Sequence, residues 1–128
     1  MSFSSRPKSL AEIADRILHG SNAGYEVKDF LHEFQAAGSS RMFATPPGKL
    51  EGRVPDGLRY DAFLQALAVY LAAKINADPP SWTRPATQLQ DPWFASPGAA
   101  IRNYLLLSSP APFRMRNLFI DADSLEVA

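Results

Sequence analysis

One long apolar segment constrains this chain more than any other feature. Residues 58–75 read LRYDAFLQALAVYLAAKI, and the apolar side chains cover nearly the whole circumference of a helix rather than one stripe. A helix that is apolar all round is usually buried at the centre of a domain. At a rise of 1.5 Å per residue it would span about 27 Å, the width of a small domain. We therefore predict an all-α single domain, residues 1–128, built around a central helix over residues 58–76.

Two shorter segments with helical periodicity precede this helix and predict a helical hairpin over residues 1–43. Ser9 and Glu12 have the spacing of a capping box at the start of the first helix. The second helix is predicted over residues 24–37, and a glycine follows each helix as a stop. Only residues 21–23 join the two helices, so they should pack as a hairpin.

Proline divides the remainder of the chain. Residues 44–57 are rich in proline and glycine and predict a linker. Seven of the 11 prolines lie between Pro79 and Pro112, which predicts short helices separated by rigid corners over residues 77–128.

Local signals place elements within this last region. Ser96-Pro97 and Ser109-Pro110 each predict a helix start, and Asn117 predicts the end of the second of these helices after about two turns. The first of them should turn Ile101, Tyr104, Leu105 and Leu107 inward. No sheet is expected, and a short strand at residues 118–120 is the main exception.

Composition excludes several functional classes. The 13 basic and 13 acidic residues cancel, so no net charge attracts the chain to nucleic acid or to an anionic membrane. The absence of cysteine excludes disulfides, thiolate metal sites and cysteine nucleophiles. No apolar run approaches the ~20 residues needed to cross a bilayer, and no signal peptide is recognisable, so we expect a cytoplasmic protein of bacterial type.

Catalytic motifs are not recognisable, and we predict neither enzymatic activity, nor a cofactor, nor a metal site. His19 and His32 could form a metal-binding or acid–base pair in a small helical hydrolase, but they lack any known ligand spacing. Each has a carboxylate three or four residues before it, as surface histidines on helices often do. Surface salt bridges are therefore the favoured interpretation.

The second helix carries Glu26, Asp29 and Glu33, which indicate either a solvated face or, less readily, paired catalytic carboxylates. A nucleic-acid-binding regulator is the alternative function, with the hairpin as a helix-turn-helix and Lys28 and Arg41 nearby. The acidic residues give that helix the wrong sign for recognition of DNA.

An arginine- and aromatic-rich segment is the most distinctive feature of the C-terminal region. We name Arg102, Arg114, Arg116 and Trp93 as candidate partner-binding residues, because arginine and large aromatics dominate binding hot spots. The competing interpretation is internal, with Arg114 or Arg116 holding terminal carbonyl groups or the acidic tail at Asp121, Asp123 and Glu126.

The same segment resembles a signature in a group of small uncharacterised bacterial proteins. The matching residues are Trp82, Trp93, Phe94, Arg102, Ser109, Pro110, Pro112, Phe113, Arg114, Arg116, Asn117 and Phe119. The resemblance covers residues 80–120, and it implies a small helical partner protein. Some members lie beside nucleotidyltransferase-like proteins in toxin–antitoxin-like pairs. We therefore expect a non-enzymatic interaction protein, antitoxin-like or regulatory, and leave a homo-oligomer open.

Overall fold

The structure is a computed structural model that describes residues 5–96 and 98–126. Within these residues the chain forms five α-helices and two strands of two residues each, which confirms the prediction of a mostly helical single domain. The elements are α1 (Leu10–Leu18), α2 (Ala23–Ala37), α3 (Gly57–Lys74), β1 (Trp93–Phe94), α4 (Ala99–Ser108), α5 (Ala111–Arg114) and β2 (Leu118–Phe119), with 3-10 turns at Ser40–Phe43, Ser81–Thr83 and Ala122–Leu125.

The first two helices pack against each other through a buried ion pair. Arg16 on α1 and Glu26 on α2 are both buried, with Arg16 Nη1 3.1 Å from Glu26 Oε2. The same Nη1 donates to the Ser5 carbonyl oxygen at 2.8 Å, and Glu12 lies 3.0 Å from Nη2. A buried carboxylate stays charged only when it is paired and hydrogen-bonded, so this network holds the two helices in one register. The sequence had indicated that Glu26 belongs to a solvated face, and this interpretation is wrong because Glu26 is buried.

The predicted capping box at the start of α1 forms only in part. The Ser9 hydroxyl accepts a hydrogen bond from the Glu12 backbone N–H at 3.1 Å. Glu12 Oε1 accepts from the Lys8 backbone N–H at 3.3 Å, one residue before the partner that the motif requires.

α3 is the centre of the core. Its buried residues are Gly57, Ala62, Leu64, Ala66, Leu67, Ala68, Leu71 and Ala72. α5 packs on the same helix, because the Phe113 ring lies edge-on to Phe63 at 5.3 Å and to Tyr70 at 6.1 Å. The small alanine side chains let neighbouring segments approach α3 closely, and burial of Phe113 ties the proline-rich region to it.

The loop between the hairpin and α3 is attached to α3 by its backbone. The Leu50 and Glu51 N–H groups donate to the two carboxylate oxygens of Asp61 at 2.8 and 3.0 Å, and the Leu50 side chain is buried. Asp61 therefore fixes the position of the loop backbone relative to the start of α3. The composition of the linker did not predict this role.

Replacing Asp61 by alanine is expected to destabilise the fold by about 2 kcal/mol, because two backbone N–H groups lose their charged acceptor. Urea unfolding followed by circular dichroism measures the change. Asp78→Ala is the matched control, since Asp78 is exposed, and it should unfold like the parent protein. Equal midpoints for the two variants would show that the loop is held by side-chain packing alone.

Three details of the C-terminal region differ from the sequence predictions. α4 begins at Ala99 after Gly98, whose φ of 110° suits glycine, and not at Ser96-Pro97; Pro97 lies outside the described residues. α5 has one helical turn rather than two and ends at Arg114 with Met115 as its C-cap, so Asn117, whose φ of 64° is left-handed, lies beyond the helix end. β2 pairs in parallel with β1, a partner strand that alternation could not have predicted in two residues.

Candidate functional site

Arg116 is an internal anchor. Only 2% of the residue is exposed, and its guanidinium donates to Gln65 Oε1 at 3.2 Å, the Pro112 carbonyl oxygen at 2.8 Å and the Thr83 carbonyl oxygen at 3.1 Å. Burial lowers the pKa of Arg116 from its ordinary value. The three acceptors come from α3, from the residues before β1 and from α5, so one side chain joins the separate parts of the C-terminal region to the central helix.

Gln65 has a matching role on α3. Besides accepting from Arg116, its Oε1 accepts a hydrogen bond from the Thr87 backbone N–H at 2.7 Å. One polar residue inside an otherwise apolar helix thus satisfies donors from two segments that cross it.

The four candidate partner-binding residues do not form one surface. Arg116 is buried, so the expectation that it binds a partner is corrected in favour of the internal clasp. It holds main-chain carbonyls rather than the acidic tail, because Glu126 instead contacts Lys74 Nζ and accepts from the Tyr70 hydroxyl. Arg114 is exposed, two residues away on the other side of the same turn.

β1 separates the remaining candidates. Successive side chains of a strand point to opposite faces, and Trp93 and Phe94 follow this rule. Trp93 lies under the Arg59 guanidinium, 4.7 Å from ring centroid to Cζ, whereas Phe94 stacks on Phe119 at 5.0 Å and lies under Arg102 at 4.9 Å. Trp93 and Arg102 therefore belong to different sites.

α4 presents an apolar surface to solvent. The exposed large side chains Ile101, Arg102, Tyr104, Leu106 and Leu107 lie around the helix outside the line of Leu105, and we call this exposed surface the α4 face. Leu107 is 83% exposed and Tyr104 is 50% exposed, while Leu105 is the buried residue of the helix. The prediction that Ile101, Tyr104 and Leu107 turn inward is wrong, because α4 packs along the narrow line through Leu105. Met115, just after α5, is also exposed.

A cavity of about 410 Å³ lies between the start of α2, the start of α3 and the chain around β1. Its wall is mainly apolar, and Arg59 is the charged residue among the described residues that line it. The sequence analysis did not identify Arg59 as a site residue. Its contact with Trp93 joins the two halves of the chain, and no local pattern around Arg59 predicts that contact.

The two histidines lie at the end of α1 and within α2. His19 is exposed, and its Nδ1 lies 2.8 Å from the Asp15 carbonyl oxygen, while His32 is half-buried. Among residues 5–96 and 98–126, no group of three or more His, Asp or Glu side chains is arranged to hold a metal ion. Glu33 forms an ion pair with Lys8 at 2.9 Å on the outside of the hairpin.

A chain of contacts at the C-terminal end of α3 changes three pKa values. The Lys74 ammonium lowers the pKa of the Glu126 carboxyl and has its own pKa raised by that carboxylate. Burial raises the pKa of the Tyr70 hydroxyl, which donates to the same carboxylate at 3.2 Å. These groups attach the C-terminal residues to α3.

Comparison of the chain with family models, with curated proteins and with solved structures gave no match. In the part of the chain that the structure describes, no helix has the length and apolarity required to cross a membrane.

Proposed function

We propose that this chain is a non-enzymatic interaction protein and that its partner binds the α4 face. The observation that carries the proposal is the exposure of large apolar side chains on α4, with Leu107 at 83%. Single exposed apolar residues are ordinary on protein surfaces, but a helix that exposes several of them together is typical of a binding surface. The short α4 gains little stability by itself, so a partner that covers it would also stabilise it.

The charge of the surface indicates the chemistry of the partner. Arg102 and Arg114 are exposed, and residues 92–120 contain no aspartate or glutamate. A second copy of the chain would bring like charges together across a symmetric interface, which is unfavourable. We therefore propose a different protein that offers an apolar groove with an acidic rim.

Residues 80–120 resemble a group of proteins of which some members lie in toxin–antitoxin-like pairs, and this resemblance supports one choice of partner. We propose that the partner is the product of a neighbouring gene and that this chain regulates it, as an antitoxin does. Binding through α4 would leave the buried Arg116 anchor and the α3 core undisturbed.

Leu107→Asp is expected to weaken binding of the neighbouring protein by roughly tenfold or more, since it places a charge in the apolar contact. Gln35→Asp is the matched control: Gln35 is exposed on α2, outside the α4 face, and the same charge there should leave affinity nearly unchanged. Co-expression, size-exclusion chromatography with light scattering, and isothermal titration calorimetry measure the effect.

Each other outcome has a defined meaning. If the two proteins elute separately and the neighbour is fully active in the presence of this chain, the antitoxin-like role is wrong. If a complex forms and Leu107→Asp binds as tightly as the parent protein, α4 is not the surface. If the chain alone is a dimer that Leu107→Asp dissociates, the occupant of the α4 face is a second copy.

A further inference from the structure

The cavity beside Arg59 has the composition of a small-molecule site. Ligand sites are concave, mainly apolar and equipped with a few polar groups that orient the ligand, and a volume of about 410 Å³ falls in their usual range. The apolar wall comes from both halves of the chain, including Val27 of α2, Phe63 of α3 and Leu125 of the last 3-10 turn. Asn22, Tyr60 and Ser124, which carry polar side chains, also line it.

Arg59 is held in place mainly by aromatic rings. Its guanidinium carbon lies 4.7 Å from the Trp93 ring centroid and 5.2 Å from that of Tyr60, which are cation–π distances. Asp56 Oδ2 is 3.6 Å from Nη2, beyond a good hydrogen bond, and the Asp56 side chain is 60% exposed. Within the described ranges of the chain, the guanidinium N–H groups have no closer acceptor.

We infer that this cavity binds a small monocarboxylate with an aromatic or branched apolar body. Arginine presents paired N–H donors that match a carboxylate, and stacking on Trp93 and Tyr60 fixes the plane of those donors before the ligand arrives. A single cation in an apolar wall matches one negative charge. A phosphate monoester, with close to two negative charges, would remain poorly compensated there. The body of the ligand fills the space between Val27, Phe63 and Leu125.

Hydrocinnamate and its amide, hydrocinnamamide, are suitable probes because they differ in the charge and not in the body. We expect the acid to bind the protein roughly tenfold or more tightly than the amide, since a hydrogen bond to a charged partner adds that much. Acetate, which has the charge without the body, should bind too weakly to detect at the same concentrations. Calorimetry measures affinity, and amide chemical shifts at Gly24 and Leu125 report the place of binding.

Two variants test the two parts of the site. Arg59→Gln should remove the preference for the acid over the amide, whereas Arg53→Gln, an exposed arginine on the loop before α3, should retain it. Val27→Phe fills the cavity and should abolish binding of both probes. Circular dichroism checks that each variant is folded. If Val27→Phe does not fold, the acid-to-amide preference of Arg59→Gln alone tests the inference.

The inference is overturned if the protein binds neither probe at millimolar concentration, if acid and amide bind equally, or if Arg59→Gln leaves the preference intact. None of these outcomes tests partner binding at the α4 face, because Trp93 and Phe94 point to opposite faces of β1. The two proposals can therefore fail independently.

Discussion

Arg116→Met is expected to lower the free energy of unfolding by about 3 kcal/mol, because it leaves buried acceptors without a donor. Methionine keeps much of the aliphatic stem and removes the guanidinium. Gln65 Oε1 retains the Thr87 N–H, but the Thr83 and Pro112 carbonyl oxygens lose the donors that reach them from Arg116. Loss of this anchor should loosen the attachment of the C-terminal region to α3. Urea unfolding monitored by tryptophan fluorescence measures the change.

Arg114→Met is the control for Arg116→Met. The two arginines are separated by one residue and carry the same charge, but Arg114 is exposed. Its replacement should change stability by less than about 0.5 kcal/mol, as surface substitutions usually do. If both variants lose the same stability, the effect comes from net charge or from the local turn, and the internal-anchor assignment is wrong.

Gly57→Ala is expected to cost about 3 kcal/mol, at the upper end of what overpacking does in a core. A Cβ at this position would overlap the Leu50 carbonyl group and lie 2.8 Å from the Glu51 backbone nitrogen. Neither group can retreat easily, because the Leu50 and Glu51 N–H groups are bonded to Asp61 and the Leu50 side chain is buried. Thermal and urea unfolding both report the loss.

Gly48→Ala, in the same loop, is the matched control. A Cβ there meets no atom within 4 Å, and its φ is outside the left-handed region. Alanine should leave stability unchanged or raise it by about 0.5 kcal/mol, because it restricts the unfolded chain. A Gly57→Ala variant as stable as Gly48→Ala would mean that the loop does not contact the start of α3 as closely as the structure has it.

The proposed sites use opposite sides of β1. Trp93 supports Arg59 at the cavity, and Phe94 supports Arg102 at the α4 face. A strand of two residues presents one side chain to each face, so the cavity and the α4 face lie on opposite sides of β1.

The helices of the first half could be read from the sequence because their signals are local. The Ser9 cap, the left-handed Gly38 and the apolar circumference of α3 act within one or two turns of the chain. For the same reason α3 was predicted at residues 58–76 and observed at Gly57–Lys74, a difference confined to helix ends, where fraying is normal.

The burial of α4 could not be predicted from the sequence. Apolar residues at helical spacing predict burial only if another element covers them, and sequence periodicity does not show whether one does. Here the two-residue strands and the short α5 leave only the Leu105 line covered. The exposed remainder is what motivates the proposed function.

The amino-acid sequence by itself determined the all-α class and the places of the first three helices along the chain, because capping, turn formation and apolar periodicity depend on neighbouring residues. Tertiary structure decided which arginine is buried and which is exposed, and it brought Arg59 to Trp93 and Arg116 to Gln65. Those pairs join residues far apart in the chain, and their distances depend on how whole segments pack, which no local pattern specifies.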